Sequence, residues 1–312
     1  MDSFKNHLNS LKMTKLFQNL NSFIKPKQTS KHLLTLLAAI LLLAGCRKVE
    51  GVAKVRIHVD GFSVSQEEIP EIRAAIADYT GVSAITLAFY NGSTEVTQIT
   101  QLRSDNTTYT TFGEFDLSLP MGSYTMVVLG YGFYEGDEFT LTSPTQAAFT
   151  GDVRETFATT QAVNITSTDA VNISTTLDRI VPRLKVISTD GKTANASKVR
   201  MTFSAGGKAF NPTTGLATAN SGTTSTVGIS AAVGATSTSL GYAFLVTDEQ
   251  TMTVTLDVLD ADGNSISHKV VNNVPFQRNR CTKLTGSLYN AGTTGSFSIN
   301  TEWLDGDNEV GF

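Results

Sequence analysis

The sequence predicts an all-β fold of two β-sandwich domains that follow a leader peptide. After residue 46, short segments alternate apolar and polar side chains, which is the period of a half-buried strand. Turn-forming residues separate these segments at intervals of about 8–12 residues, which is typical of a sandwich. The length suits two domains of roughly 130 residues each. We place them at residues 46–178 and 179–312.

An apolar segment at residues 33–43 marks the leader. It is too short to cross a bilayer as a helix, which takes about 20 apolar residues. Six lysines and a single acid, Asp2, precede it, as in the basic region of a secretory signal peptide. Residues 1–45 are therefore predicted to be a cleaved signal peptide, with either Met1 or Met13 as the true start.

The leader ends in Leu43-Ala44-Gly45-Cys46, which resembles the lipobox of bacterial lipoproteins. The resemblance implies cleavage between Gly45 and Cys46 and attachment of fatty-acyl chains such as palmitate to the Cys46 thiol. The basic residues Arg47 and Lys48 follow Cys46. An acidic residue here would indicate retention at an inner membrane, and this chain has none at these two positions. We therefore expect a lipid-anchored protein exposed on the cell outer membrane.

In the first domain, residues 52–59 form the clearest amphipathic strand, in which apolar side chains alternate with those of Lys54, Arg56 and His58. Residues 67–79 have partly helical spacing with Pro70 near their start, and predict a short helix or an ordered loop. The dipeptide Asn91-Gly92 predicts a two-residue hairpin turn. The other strands are expected near residues 84–90, 95–102, 115–119, 124–129, 139–141, 155–158, 162–166 and 170–177.

In the second domain, Pro182 confines the first half of a strand at residues 179–188 to an edge or a bulge. Residues 206–240 contain few apolar side chains and predict a long surface excursion. Asp262-Gly263-Asn264 predicts a hairpin turn. Further strands are expected at residues 198–204, 242–246, 251–259, 265–271, 285–288 and 297–303.

Composition and motifs give no support to catalysis, cofactor binding or nucleic-acid binding. The formal net charge is −4 without a basic stripe, and the motifs of zinc proteases, serine hydrolases and P-loop enzymes are absent. His58 and His268 fall in separate strands, whereas a metal site needs three or four converging ligands. Once Cys46 is acylated, Cys281 has no disulfide partner, and we expect it to be a small buried side chain.

Two further patterns have alternative interpretations. Asp257, Asp260 and the turn at residues 262–264 partly match a calcium loop, but the spacing of the carboxylates favours a solvated hairpin tip. Tyr131, Phe133 and Tyr134 either line a sugar-binding platform or continue a core strand and its loop.

Three segments resemble those of fimbrillin-like surface lipoproteins of the Bacteroidetes. They are NVPFQRNRCTKLTGSL at residues 273–288, LDRIVPRL at residues 177–184, and LPMGSY at residues 119–124. With the lipobox, they occur in the order found in that family. Pro182 departs from the small residue that the family has there. The resemblance implies two transthyretin-like (Greek-key) β-sandwich domains in a pilus component, which is a shaft subunit, a tip subunit or a lipid-retaining anchor.

The resemblance also implies assembly by strand complementation. An arginine-specific protease removes a strand, and the open groove accepts a strand from the next subunit. In this chain, the removed strand would be residues 52–59 and the processing site Arg73, unless Arg73 is a solvated residue of a short helix. The strand with Phe297, Ile299, Thr301 and Trp303 is either a fixed part of the second sandwich or the donor.

The sequence therefore predicts a non-enzymatic, lipid-anchored fimbrial subunit or anchor that contributes to cell adhesion. Its expected partners are other fimbrial subunits, by strand exchange, and the outer membrane, through the lipid on Cys46. A host protein or glycan ligand stays open, and no nucleic acid, cofactor or metal is expected. The alternative is a surface glycan-binding lipoprotein of a nutrient-uptake system, which needs a platform of two or three exposed aromatic side chains.

Overall fold

The computed structural model describes residues 51–64, 72–105, 107–134, 136–290 and 297–300, with the backbone alone for residues 72–74. Throughout these ranges the regular structure is β-strand, which confirms the predicted all-β class. None of these ranges contains a helix long and apolar enough to cross a membrane. The predicted signal peptide, Gly45 and Cys46 lie outside the described residues.

The described residues form twenty strands. The first ten are β1 (Val52–Val64), β2 (Ile72–Ala75), β3 (Ala84–Asn91), β4 (Thr94–Leu102), β5 (Glu114–Pro120), β6 (Gly122–Tyr131), β7 (Phe139–Ser143), β8 (Gln146–Phe149), β9 (Thr156–Ile165) and β10 (Val171–Arg179). The others are β11 (Arg183–Ser188), β12 (Lys198–Phe203), β13 (Ala209–Asn211), β14 (Leu216–Ala217), β15 (Thr223–Gly228), β16 (Thr238–Tyr242), β17 (Glu249–Leu259), β18 (Ser265–Gln277), β19 (Cys281–Gly286) and β20 (Ser298–Asn300).

The first ten strands, except β7 and β8, form one large sheet. Its order is β2-β1-β10-β9-β6-β3-β4, with β5 paired to β1 on the same edge as β2. The pairing of β10 with β9 covers only Asp178↔Ala158 and Arg179↔Phe157, so the sheet folds over at this short junction. The layer of β5, β1 and β10 then packs on the layer of β9, β6 and β3, and a buried core fills the space between them.

The strands β11 to β20, except β13 and β14, form two four-stranded sheets. Their orders are β16-β11-β19-β20 and β15-β12-β17-β18. Inward side chains of both sheets, among them Val186, Met201 and Leu256, form a second core. In this core β11 pairs in parallel with β19, as β1 pairs with β10 in the first. The division into domains at residues 178 and 179 stays a prediction.

A small sheet joins strands from both halves of the sequence. Its order is β14-β13-β8-β7, with Phe210 of β13 registered to Ala147 of β8. Beneath it lies a third core of stacked aromatic rings, in which Phe210 and Phe244 are 4.0 Å apart between centroids. This core covers the outer face of β3 and β6, which explains why β3 is buried on both faces.

Of the two alternatives predicted for residues 67–79, a short helix or an ordered loop, the helix is wrong for the described part of that segment. Residues 72–75 form β2, which pairs antiparallel with the end of β1, and residues 76–78 form a turn. The pairing with β1 outweighs the weak local preference for helix, since propensity is a small term beside tertiary contacts.

The predicted surface excursion at residues 206–240 is only partly correct. It contains β13, β14 and β15, and Phe210 is fully buried in the third core. Thr-rich β15 pairs with β12 along its length, although its sequence has little apolar content. The strand predicted at residues 242–246 is instead β16, which ends at Tyr242. Single apolar residues anchor these segments, and composition alone does not show them.

Candidate strand-exchange site

β1 lies between hydrogen-bonded partners on both sides. It pairs in parallel with β10 over residues 55–63 and antiparallel with β5 over residues 52–58. Beyond that point β2 takes the place of β5, pairing with residues 61–64. Removal of β1 would therefore separate β5 from β10 and leave the facing backbone groups of both strands without their present partners.

The inward face of β1 is fully buried. Ala53, Val55, Ile57, Val59 and Phe62 all have 0% exposure and contribute to the first core. Full burial of each large apolar side chain stabilises the fold by about 1.5–3 kcal/mol. A groove left by β1 would thus be lined by apolar side chains and two unpaired strand edges, which is the surface that accepts an extended strand of the same alternation.

The outward face of β1 carries charges that match those of β5. Arg56 Nε donates to Asp116 Oδ1 at 2.8 Å, and His58 contacts the Glu114 carboxylate. Both contacts join directly registered residues. The side chains of Arg56 and Asp116 are 70% and 76% exposed, so the pair adds little stability. Its effect is on register, because a slip by one residue would turn these charges into the core.

Arg73 lies within β2 and not in a free connection. Its backbone is registered to Ser63 of β1, and β2 has four residues at one end of the strand order of the first sheet. A protease binds its substrate as an extended segment. Cleavage after Arg73 therefore requires the four-residue pairing of β2 with β1 to be released, but not the rest of the sheet. Cleavage at Arg73 stays a prediction.

The turn after β2 holds the end of β1 through an aromatic cluster. The ring of Tyr79 lies 5.5 Å from that of Phe62 and 5.3 Å from that of Phe157, between centroids. The three rings are tilted or edge-to-face, which is the favourable arrangement for aromatic pairs. β1, the turn and β9 are therefore tied together at one point of the core.

Next to this cluster lies a buried ion cluster of Glu155, Arg179 and Arg183. Glu155 Oε1 is 3.3 Å from Arg179 Nη1 and 2.8 Å from Arg183 Nη2, and the three side chains are 7%, 3% and 15% exposed. Burial by itself raises the pKa of Glu155, but the two guanidinium charges outweigh it and lower that pKa. Burial, followed by the charge of Glu155, raises the pKa of the Tyr79 hydroxyl. The carboxylate is thus held ionised.

The same cluster connects two segments that are distant in sequence. Arg179 Nε donates to Asn279 Oδ1 at 3.1 Å, and its Nη2 donates to the Asn279 carbonyl at 3.0 Å. Asn279 has a φ of 61°, in the left-handed region that Asn tolerates better than most residues. Nearby, the Arg183 N–H donates to the Arg280 carbonyl at 2.8 Å. Segments 177–184 and 273–288 therefore meet in space.

A family model matches residues 61–310, which is most of the chain. Its description is a family of unknown function, DUF6562. The chain belongs to the DUF6562 family. No curated protein matches its sequence.

Solved structures similar to this DUF6562 chain include three proteins of the Bacteroidetes, each aligned over 80% of the chain. A putative adhesin from Bacteroides ovatus is 11% identical, with 93% of its chain covered and a TM-score of 0.46. A structure described as putative polysaccharide binding proteins from Bacteroides thetaiotaomicron is 12% identical, with 96% of its chain covered and a TM-score of 0.44. The fimbrial anchor protein Mfa2 from Porphyromonas gingivalis is 12% identical, with 97% covered and a TM-score of 0.42.

The two histidines and the candidate calcium loop have other partners in this DUF6562 chain. His58 lies beside Glu114, and His268 Nδ1 is 2.7 Å from Asp257 Oδ1. Asp260 Oδ1 accepts from the N–H groups of Asp262 and Asn264, as in a solvated hairpin tip. In the described part of the chain, no group of three or more His, Cys, Asp or Glu side chains is placed to hold a metal ion.

The C-terminal strand is described only at its beginning. Residues 298–300 form β20, which pairs antiparallel with β19, and Phe297 packs against the second core. Thr301 and Trp303 lie outside the described residues. Whether this strand is donated to another subunit stays a prediction, as does lipidation at Cys46. Cys281 makes no disulfide, as expected. Its side chain is half-buried, whereas the sequence predicted a buried one.

Sequence reasoning missed the ion cluster at Glu155. A signal was present, because Arg179 and Arg183 flank the apolar Ile180 and Val181. Charges inside apolar segments are buried only when they are paired. The sequence did not show that these three residues pair with one another.

Proposed function

We propose that this chain is a lipid-anchored surface subunit or anchor of a fimbrium, which assembles by strand complementation and contributes to cell adhesion. The observation that carries the proposal is β1, a strand near the chain start that is paired on both edges and buried on its inner face. It is a separable element whose removal leaves a groove shaped for a strand. The sequence resemblance to fimbrillin-like lipoproteins supports the same role.

The position of β1 links the lipid to the groove. β1 begins at Val52, six residues after Cys46, and an extended chain spans at most about 3.3–3.6 Å per residue. In an anchor, lipid and β1 stay together, and β1 fixes the protein to the outer membrane. In a shaft subunit, cleavage after Arg73 releases the lipid and β1 in one fragment, and the open groove takes a strand from a neighbouring subunit.

Immunogold electron microscopy of intact cells tests the fimbrial role. Label along surface fibres is expected for a shaft subunit, at the free ends for a tip subunit, and at the cell-proximal ends for an anchor. Label spread over the envelope without any relation to fibres would contradict the proposal. A strain without the gene is the control, and it should adhere less than the strain that carries it.

Lipidation is tested separately by metabolic labelling with an alkyne fatty acid. The wild-type chain should carry the label, and Cys46→Ala should lose it, because the acyl chain is attached to that thiol. Cys281→Ala is the matched control, since Cys281 is the only other cysteine in the sequence, and it should keep the label. Label that persists on Cys46→Ala would exclude the lipobox assignment.

The structure gives less support to the alternative role in nutrient uptake. Of the three candidate platform residues, Tyr131 is buried against Phe139 and Phe149, and Phe133 is half-buried. Only Tyr134 is exposed. A flat platform of two or three exposed rings is therefore not formed by this segment.

A further inference from the structure

A cleft of about 550 Å³ opens where the turn after β2 meets β15 and β16. Its volume lies within the range of about 300–1,000 Å³ that is usual for small-ligand sites. Its lining includes the exposed polar residues Asp78, Thr80 and Tyr134, and the half-buried apolar residue Leu240. Such a mixture of apolar walls and a few polar groups suits a ligand with both kinds of surface.

Tyr134 forms a rigid aromatic wall of this cleft. Its side chain is 64% exposed, and one face of its ring lies 4.6 Å from the Arg154 guanidinium carbon. Arg154 is itself fixed by a bidentate pair with Asp137, with distances of 3.0 and 2.9 Å. Asp137 also accepts from the Tyr134 backbone N–H at 2.9 Å. The ring is therefore held in place before any ligand binds, which lowers the entropy cost of binding.

The charges that line the cleft cancel one another. Asp78 and Glu155 carry negative charge, and Arg154 and Arg183 carry positive charge. Glu155 and Arg183 are paired within the wall, and Arg154 is paired with Asp137 behind it. Asp78, which is exposed, stands outside these two pairs, but the charges of the lining sum to zero, so electrostatics favours a neutral polar ligand.

We propose that this cleft binds a neutral saccharide. A pyranose ring presents a face of C–H groups that packs on an aromatic ring, and hydroxyl groups that bond to side chains at the rim. Tyr134 supplies the first contact, and the exposed side chains of Asp78 and Thr80 supply the second. No residue of β1 lines the cleft, although Tyr79 packs on Phe62 of β1, and the inference does not depend on the proposed function.

The test is binding of the full chain, purified in mild detergent, to an array of immobilised neutral and acidic oligosaccharides. We expect binding to at least one neutral saccharide, followed by calorimetric measurement of Kd with that saccharide. Tyr134→Ala should raise the Kd by up to about tenfold, since stacking on an aromatic ring contributes about 0.5–1.5 kcal/mol beyond the area it buries. Tyr134→Phe keeps the ring and should stay within about threefold of the wild type.

Two further variants separate the cleft from the rest of the surface. Thr80 is exposed at the rim, and Thr80→Trp should block the cleft and abolish binding without disturbing the core. Val270→Ala changes another exposed apolar residue, on β18, and should leave the Kd unchanged. Failure of the wild type to bind any neutral saccharide, or wild-type affinity in both Tyr134→Ala and Thr80→Trp, would overturn the inference. Neither result would bear on the proposed fimbrial location, which immunogold labelling tests separately.

Discussion

Replacement of Ile57 by Ala is expected to lower the free energy of unfolding by about 2–5 kcal/mol, the range for a buried Ile-to-Ala change. Ile57 has 0% exposure and lies in the middle of β1, between β5 and β10. The shortened side chain leaves a cavity between strands that cannot collapse without breaking their pairing. Urea unfolding, followed by circular dichroism, measures the change in the midpoint of the transition.

Lys54→Ala is the matched control for Ile57→Ala. Lys54 is in the same strand but on its exposed face, and its replacement should change the free energy of unfolding by no more than about 0.5 kcal/mol. Equal effects of the two changes would contradict the burial of β1. The contrast bears directly on the proposed function, because only a strand that completes a core leaves a functional groove when it is removed.

Replacement of Glu155 by Gln is expected to lower the free energy of unfolding by about 3–5 kcal/mol, which is the usual cost of removing one partner of a buried ion pair. The amide keeps the size of the side chain but leaves Arg179 and Arg183 buried without their carboxylate. Thermal and urea unfolding measure the loss.

Asp116→Asn is the control for Glu155→Gln, because it removes the carboxylate of the exposed pair with Arg56. Exposed pairs contribute about 0–1 kcal/mol, so this variant should remain close to the wild type. If Glu155→Gln were as stable as Asp116→Asn, the ion cluster would have no structural role.

The ion cluster also predicts sensitivity to acid. The pKa of Glu155 is lower in the folded chain than its ordinary value, since the charges of Arg183 and Arg179 outweigh the effect of burial. The folded chain therefore binds fewer protons at this site than the unfolded chain does. This contribution to stability is complete above the ordinary Glu pKa and is lost as the pH falls through the lowered value. Glu155→Gln should flatten the acid limb of the stability curve, and an unchanged limb would contradict the assignment.

The sequence was sufficient for the fold class and for most long strands. The alternation in β1 and the Asn91-Gly92 dipeptide are local signals, and a two-residue hairpin does form at the second of them. Its turn residues are Gly92, with a φ of 61°, and Ser93, one position later than predicted, because Asn91 pairs with Thr94 as the last residue of β3. β2 was not predictable in the same way, because its four residues form a strand only through their pairing with the end of β1. The small sheet of β7, β8, β13 and β14 was missed for the same reason, since its strands come from segments about 60 residues apart.

The candidate sites show the same limit. The strand β1 was predicted from its alternation and its role in strand exchange from the family resemblance, whereas its two-sided pairing required the structure. The exposed Tyr134 was noted as one of three aromatic residues, but the sequence did not separate it from the buried Tyr131. The cleft beside it depends on β15 and β16, in a part of the chain that its composition marks as surface excursion.

The most direct test of the strand-exchange account is the N-terminus of the protein on intact cells, determined by mass spectrometry after gentle shearing. The account predicts one of two chain ends. Acylated Cys46 in the membrane fraction identifies an anchor that keeps β1 in its sheet, and Ala74 in sheared, high-molecular-weight material identifies a polymerising subunit that has lost both lipid and β1. A chain that keeps its leader would contradict the account. So would an unmodified N-terminus at any position other than Cys46 or Ala74.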